Sequence, residues 1–564
     1  MKLSTILFVI LCIVWTLYHA YFLQLNEVLK VADSFAYLQM SYFMKDFSIA
    51  SFWNGWFWFV YSIPIALMNL FIINDFLAAQ IVNLILLNVS AILLFNISKK
   101  YLSSYFSLLV VGLFLLSPVY LHFSIHVLSE NIYIPLFLWL LTVTLNFVEE
   151  CYIFKSPSQH LLRQKKQVII IGVLLALLYL TRAEAFIYIW SIGILALWLA
   201  LLKKLKWKNF FSLWILFFVS FIIIISPYLY FLHDLTWEWG LTNKWASNLR
   251  QAELRGQTQM DDAWFEQAVA ELTADKHHLI AGFAGGMPYD TPSIEGSLWD
   301  FVARDPAWFI ARVFRNQIKL FTQNIPEIFL WKSPSLYLSD NSRFWGNILF
   351  LLWCLFPFLV LLYWIYESVK RERVLILTSL AFFTPALIFF TLFFTLNRYF
   401  LIFLPLFFLI YWIGLAKIYD YSKILSLFLI WNIVSVLLLS TMVYYNWEKD
   451  KDDYYTLKQE AWVWLQWQIT DTENIKIMER FPIVTYYSGS KIRYITPYTD
   501  DISDIYEYWL YNKIDYLIVD SMDFETYRPA LAKYLENTPN WFTKFREFSN
   551  AKNQKVIIYK LNEV

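Results

Sequence analysis

Asp33 and Glu130 are the two acids of this sequence best placed to do chemistry. Asp33, in Val31-Ala32-Asp33-Ser34-Phe35-Ala36-Tyr37, follows the first apolar run, and Glu130, in Ser129-Glu130-Asn131, opens a later one. A hydroxyl is a poor nucleophile, and a carboxylate set against it takes its proton as a new bond forms. Asp33 suits that role. It suits equally a solvated acid after a membrane helix, or a cap on the next helix. Glu130 suits a second acid that orients an acceptor or a metal. It suits equally an acid drawn to the positive end of a helix capped by Ser129.

Other candidates lie nearby in the pattern. His122, His126 and Glu130 recur at a spacing of four. On one continuous helix they would share a face, as metal ligands do; interfacial histidines are the plainer reading, and a helix start at Ser129 would break the geometry. A divalent metal held by His126 and Glu130 is the one cofactor the sequence suggests. Arg182 and Glu184 form the tip of a short hairpin, and Arg398, in Leu396-Asn397-Arg398-Tyr399, lies in a tight turn between two apolar runs. Either arginine could bind a lipid-linked phosphate through charge-assisted hydrogen bonds. Against that stand snorkelling to the interface and, for Arg182, pairing with Glu184.

The elements that must position these groups are membrane helices. Of 564 residues, 59% are hydrophobic and only 16% charged, more apolar surface than a soluble core can hide. Aromatics make up 20%, rings suited to the headgroup region. A net charge of +1, with no basic stripe of interleaved aromatics outside the short lysine loops, excludes nucleic acid as a partner. Cys12, Cys151 and Cys354 have no disulfide or zinc spacing. Apolar runs fall at 4–24, 76–97, 105–123, 130–148, 168–181, 186–202, 210–232, 345–366, 374–396, 399–416 and 424–445. They predict about eleven spans, the first a retained signal anchor because no small-x-small cleavage site follows it. The sequons at Asn88 and Asn96 fall inside an apolar run and carry no meaning there.

Short basic loops set the sidedness. Lys99-Lys100, the Lys155–Lys166 stretch, Lys203–Lys208, Lys370-Arg371-Glu372-Arg373, and Lys417 with Lys423 share one side if the N-terminus is cytoplasmic. Segments 25–75, 233–344 and 446–564 then lie outside, at a plasma or inner membrane. The aromatic stretch 50–70 reads as an interfacial helix, and Asp261–Leu272 as a helix within the second loop. Residues 446–564 turn more polar, with strand-like runs at 475–478, 492–495, 516–519 and 556–559 and helices at 501–512 and 525–536. The expected fold class is therefore a polytopic α-helical membrane protein, domain 1–445, with a small extracytoplasmic α/β domain at 446–564. That domain has no glycine-rich phosphate loop.

Taken in order, four places resemble the GT-C membrane glycosyltransferases, above all the protein mannosyltransferase and aminoarabinose transferase group (family 39 and its bacterial relatives). They are Ala32-Asp33-Ser34-Phe35-Ala36-Tyr37, Ser129-Glu130-Asn131, Leu180-Thr181-Arg182-Ala183-Glu184, and Asn397-Arg398-Tyr399-Phe400-Leu401 leading to Pro405. Leu235–Lys244, with Gly240 and Thr242, looks like an external loop of the bacterial members. Three departures stand out: Ser34 follows Asp33 where many relatives have a second acid, Ala183 replaces a frequent proline, and Glu130 stands where several have Asp. The resemblance covers roughly residues 1–445. It implies transfer of a sugar from a polyprenyl-phosphate donor to a lipid, glycan or protein acceptor on the outer face. Asp33 would be the base of an inverting displacement, Glu130 would orient acceptor or metal, Arg398 and Arg182 would hold the donor phosphate, and Glu184 and Lys244 would support them.

Two other readings fit the same architecture: a transporter or flippase of a lipid-linked saccharide, and a non-catalytic subunit of a polysaccharide assembly system. A transporter more typically buries ionisable groups at mid-membrane and shows related halves. Here the acids lie at the ends of spans and no repeat is visible.

Overall fold

The computed structural model describes residues 3–24, 32–45, 59–153, 158–236, 239, 306–319, 373–392, 400–468, 475–479, 483–487, 494–495, 502–521, 529–536 and 541–562. The helices, in chain order, are α1 (Leu3–Gln24), α2 (Ala32–Lys45), α3 (Ser62–Met68), α4 (Asp75–Ser98), α5 (Ser104–Leu116), α6 (Pro118–Ile125), α7 (Glu130–Ile153), α8 (Ser158–Tyr179), α9 (Ile187–Leu201), α10 (Trp207–Thr236), α11 (Pro306–Lys319), α12 (Arg373–Leu392), α13 (Leu404–Tyr421) and α14 (Lys423–Gln468).

Among the described residues, seven helical stretches are long and apolar enough to cross a bilayer: Leu3–Leu23, Asp75–Ser98, Glu130–Cys151, Ala183–Leu201, Trp207–Asp234, Leu401–Asp420 and Lys423–Asn446. The pair α5 and α6, bent by 61°, makes an eighth if it is one broken span. The bend follows from Pro118, which lacks an N–H and forces Ser117 out of the helical region, to φ −58° and ψ 123°. Of the remaining expected runs, 168–181 is the second half of α8, whose first turns are polar, and 374–396 meets a shorter apolar helix, Val374–Phe389. Run 345–366 lies outside the described residues, as do Asp261–Leu272 and 50–58.

Lipid-facing and protein-facing helices separate clearly. α1 exposes Ile10, Ile13, Val14 and Leu17, as a helix at the bundle's rim must when its solvent is hydrocarbon. Close packing inside relies on small and polar residues. A Cβ at Gly172 of α8 would lie 2.0 Å from Ser220 Oγ and 2.8 Å from the Phe217 carbonyl of α10, so these helices meet backbone to backbone. Asn88, one of the two sequon asparagines, donates to Thr16 Oγ1 at 2.9 Å and ties α4 to α1.

The two ends of the bundle differ in charge. At one end Lys100 pairs with Glu149 at 3.1 Å and Arg163 with Glu150 at 2.7 Å, near the exposed loop lysines Lys203 and Lys204. The other end gathers the start of α7, the turn between α8 and α9, and α2.

α14 runs 46 residues, about 70 Å at 1.5 Å per residue, against a hydrocarbon core of about 30 Å. Its first half is a span and its second half packs on a five-stranded sheet. The strands are β1 (Ile477–Glu479), β2 (Tyr494–Ile495), β3 (Tyr516–Asp520), β4 (Phe542–Ser549) and β5 (Lys555–Leu561), in the order β2-β1-β3-β5-β4. β1 is parallel to β2 and β3; β5 is antiparallel to β3 and β4. Helices α15 (Ile483–Tyr487), α16 (Ile502–Asn512) and α17 (Pro529–Glu536) complete the unit. All five residues of β3 are buried. Leu517 and Val519 face a core with Trp509 and Leu535, while Ile518 faces one with Leu457, Ala461 and Leu465 of α14, the two-residue alternation of a sheet covered on both faces.

Candidate active site

Glu130 owes its position to a pinned break between two helices. α6 ends at Ile125, and His126 is extended at φ −97° and ψ 153°. The Asn131 side-chain amide donates to the Phe123, His126 and Leu128 carbonyls at 2.8, 2.9 and 3.1 Å. Asn83, buried in α4, donates to the same His126 carbonyl at 2.9 Å and accepts from the Tyr61 hydroxyl at 2.5 Å. Chain reversals inside a membrane protein need such substitutes for helical hydrogen bonds. With the break fixed, Glu130 becomes the first residue of α7, where the helix dipole favours an acid.

Arg182 reaches the same place from another pair of spans. α8 stops at Tyr179, the Thr181 hydroxyl donates back to the Leu177 carbonyl at 2.7 Å, and Arg182 is extended. Its Nη1 donates to Glu130 and its Nε to Glu184, and its guanidinium sits 5.9 Å from the Tyr133 ring centroid. Glu130 is 1% exposed and Arg182 6%. One cation between two carboxylates leaves the trio with formal charge −1, a poor resting place for a phosphate. Pairing, the alternative open from sequence for Arg182, is the geometry found.

Asp33 lies half-buried in the first turn of α2. One turn on, the buried Tyr37 joins it to the trio. The Tyr37 phenol is pushed well above its ordinary range, first by burial and then by the Asp33 carboxylate; a hydrogen bond with Ser129 opposes this, Glu130 adds to it, and Arg182 opposes it. The charges of Asp33, Glu130 and Arg182 thus all act on one hydroxyl, which Ser129 also hydrogen-bonds. The Tyr37 ring meets Tyr61 edge-on at 5.2 Å, and Ser62 Oγ donates to the Tyr37 carbonyl at 2.9 Å, so the start of α3 and the residue before it brace α2.

The metal reading does not fit these residues. The break at His126 removes the shared helical face that spacing four requires. His122 and His126 meet edge-on with ring centroids 4.4 Å apart, His122 approaches the Tyr444 hydroxyl at 3.4 Å, and Glu130 is committed to Arg182. Among the described residues no three His, Cys, Asp or Glu side chains gather as a metal site. Arg398 and Lys244 lie outside the described residues. The described chain just beyond Arg398 packs at the site's flank: Phe403 meets Phe137 of α7 at 5.6 Å and Tyr188 of α9 at 6.3 Å. Sequence reasoning missed Tyr37, Tyr61, Asn83 and Asn131. For Asn83 and Asn131 the signal was a polar atom inside an apolar run; Tyr37 and Tyr61 lie outside those runs.

No family model matches the sequence, and no curated protein does. Solved structures do. The archaeal oligosaccharyltransferase AglB from Archaeoglobus fulgidus, in complex with an inhibitory peptide and a dolichol-phosphate, superposes with a TM-score of 0.53 at 12% identity, over 99% of this chain and 74% of its own. The same organism's oligosaccharyltransferase tethered to an acceptor peptide superposes at 0.51 and 10% identity, over 99% and 74%. The chain has the GT-C fold. ArnT from Cupriavidus metallidurans in the apo state overlaps more loosely, with a TM-score of 0.41 at 11% identity over 98% of this chain and 97% of its own. The membrane helices and the small C-terminal sheet both fall within the GT-C superposition, which spans nearly all of the chain.

Proposed function

We propose that this GT-C chain transfers a sugar from a polyprenyl-phosphate donor to an acceptor hydroxyl, amine or amide on the extracytoplasmic face of the membrane. The observation that carries the reading is the buried Glu130–Arg182–Glu184 cluster at one end of the bundle, whose charges act together with Asp33 on the Tyr37 hydroxyl, opposite the lysine-rich end that the positive-inside rule places in the cytoplasm. A donor with a polyprenyl tail reaches such a site from within the bilayer, and AglB has been solved with dolichol-phosphate bound.

Asp33 acts as the base of a single inverting displacement. As the acceptor atom attacks the anomeric carbon, its proton passes to the Asp33 carboxylate, the bond from that carbon to the phosphate oxygen breaks, and polyprenyl phosphate leaves with the electron pair. Glu130, fixed by Arg182, orients the acceptor. Because Arg182 is engaged by two acids, the leaving phosphate falls to Arg398, where a fixed cation stabilises charge that grows in the transition state. Lys244 supports the donor end.

Purified protein offered radiolabelled polyprenyl-phosphate hexoses and pentoses should release polyprenyl phosphate as sugar moves to acceptor. Asp33→Asn should slow that step about 10²- to 10⁴-fold with the protein folded and donor binding intact. Normal turnover in Asp33→Asn would remove the base from the scheme. Donor translocation without bond cleavage would turn the assignment to a flippase.

A further inference from the structure

A short element of the C-terminal unit touches the helix that carries Asp33. Tyr486 of α15 packs edge-on against Phe35 of α2, with ring centroids 5.2 Å apart, and Phe35 is two residues from Asp33. Tyr486 and Tyr487 together join the cluster of Phe35, Tyr37, Tyr61, Ile65 and Val127 that backs the site. A five-residue helix has too few internal hydrogen bonds to hold its own place. Something outside it must do so.

Glu479 does this. It ends β1, is 1% exposed, and accepts the Thr485 N–H at 2.7 Å and the Val484 N–H at 3.3 Å, two of the orphan amides at the start of α15. Val484 and Thr485 are themselves buried. The groups facing Glu479 complete an anchor. Lys458 of α14, 0% exposed, pairs with Asp520 at the end of the neighbouring β3 at 3.1 Å, and its charge also acts on Glu479. The Tyr454 hydroxyl of α14 donates to Asp520. The ends of two parallel strands, the long helix and α15 are thereby locked in one register. Burying three ionisable groups to seat five residues is costly as a stability device alone. It is reasonable as a specificity device, where the position of α15 matters.

We infer that Glu479 is a positioning residue for the helix that carries Asp33, acting through the amides of α15 and the seating of Tyr486 on Phe35. The catalytic consequence rests on Asp33 being the base; the mechanical one does not, and the two are separable by experiment. In the intact protein at pH 6, hydrogen exchange of the α2 amides should accelerate about 10-fold or more in Glu479→Ala, while β3 and β5 keep their protection. Glu479→Gln, which retains one acceptor oxygen, should recover most of the α2 protection. With a polyprenyl-phosphate hexose as probe, Glu479→Ala should lower kcat about 10- to 100-fold with the donor KM unchanged, the signature of a misplaced rather than a missing group.

Unchanged α2 exchange in folded Glu479→Ala would overturn the inference. So would equal loss of protection in β3 and β5, which would make Glu479 a residue of domain stability only, or a rise in acceptor KM at constant kcat, which would make α15 a binding surface. If Glu479→Ala does not fold, Tyr486→Ala carries the test with the same readouts. Failure of the Asp33 assignment would show as normal transfer in Asp33→Asn while the exchange result stands.

Discussion

The guanidinium of Arg182, on the turn between α8 and α9, is closed on the carboxylate of Glu130, the first residue of α7. Fifty-two positions separate them, and both are buried. The pair joins two helical hairpins at the end of the bundle where Asp33 lies.

Removing one partner should therefore cost far more than removing both. Arg182→Met leaves the Glu130 carboxylate buried without its cation, and thermal unfolding in detergent should report a loss of about 3–5 kcal/mol. Glu130→Leu combined with Arg182→Met should regain much of that stability but no transferase activity. A double variant no more stable than the single one would mean the pair is not a unit.

Asn83 should behave as a hidden part of the site. Asn83→Ala deprives the His126 carbonyl and the Tyr61 hydroxyl of a buried partner. It should destabilise by about 1–3 kcal/mol and slow transfer, with Tyr61→Phe doing so more mildly. Full activity in Asn83→Ala would show that the break before Glu130 holds without it.

Arg398→Ala should raise the donor KM and slow phosphate departure while leaving the acceptor KM alone, read from initial rates with each substrate varied in turn. The opposite split would move the phosphate to another cation.

The seating of α15 should grow weaker as pH rises. Burial pushes the Glu479 carboxyl up to about 7, against the pull of Lys458 and of the Thr485 and Val484 hydrogen bonds. A raised carboxyl contributes stability that is complete below its ordinary 4.5 and lost as pH climbs through about 7. The swing is on the order of 3 kcal/mol at most. Hydrogen exchange of the Val484 and Thr485 amides between pH 4.5 and 8, corrected for the intrinsic rate, should show the decline, and Glu479→Gln should flatten it. An equal slope in both proteins would assign the decline to another group.

Charge in an oily sequence is conspicuous, which is why Glu130, Arg182 and Glu184 are legible from the residues alone: each stands at the edge of an apolar run. Their mutual pairing is legible only in part, since Glu184 is two residues from Arg182 and Glu130 is not. Tyr37 and Asn83 give no such signal, because neither carries a charge and the role of each depends on neighbours far along the chain. β1, β2, β3 and β5 follow the runs of β-branched and aromatic residues. β4 does not, and its pairing carries a register shift between Lys544 and Arg546. Phe542, Phe545 and Phe548 are spaced by three, which hides the alternation of a strand. The break at His126 is half visible in Ser129, a residue suited to starting a helix, but spacing alone does not choose between one helix and two.

α14 carries the C-terminal sheet on a continuous helix rather than on a tether, so chain length there is measured in angle as well as height. Each added residue beyond the bilayer would swing everything above it by about 100° and raise it 1.5 Å. A single insertion would turn Tyr486 away from Phe35. Azimuth, not reach, is what the stretch between Asn446 and Tyr454 encodes.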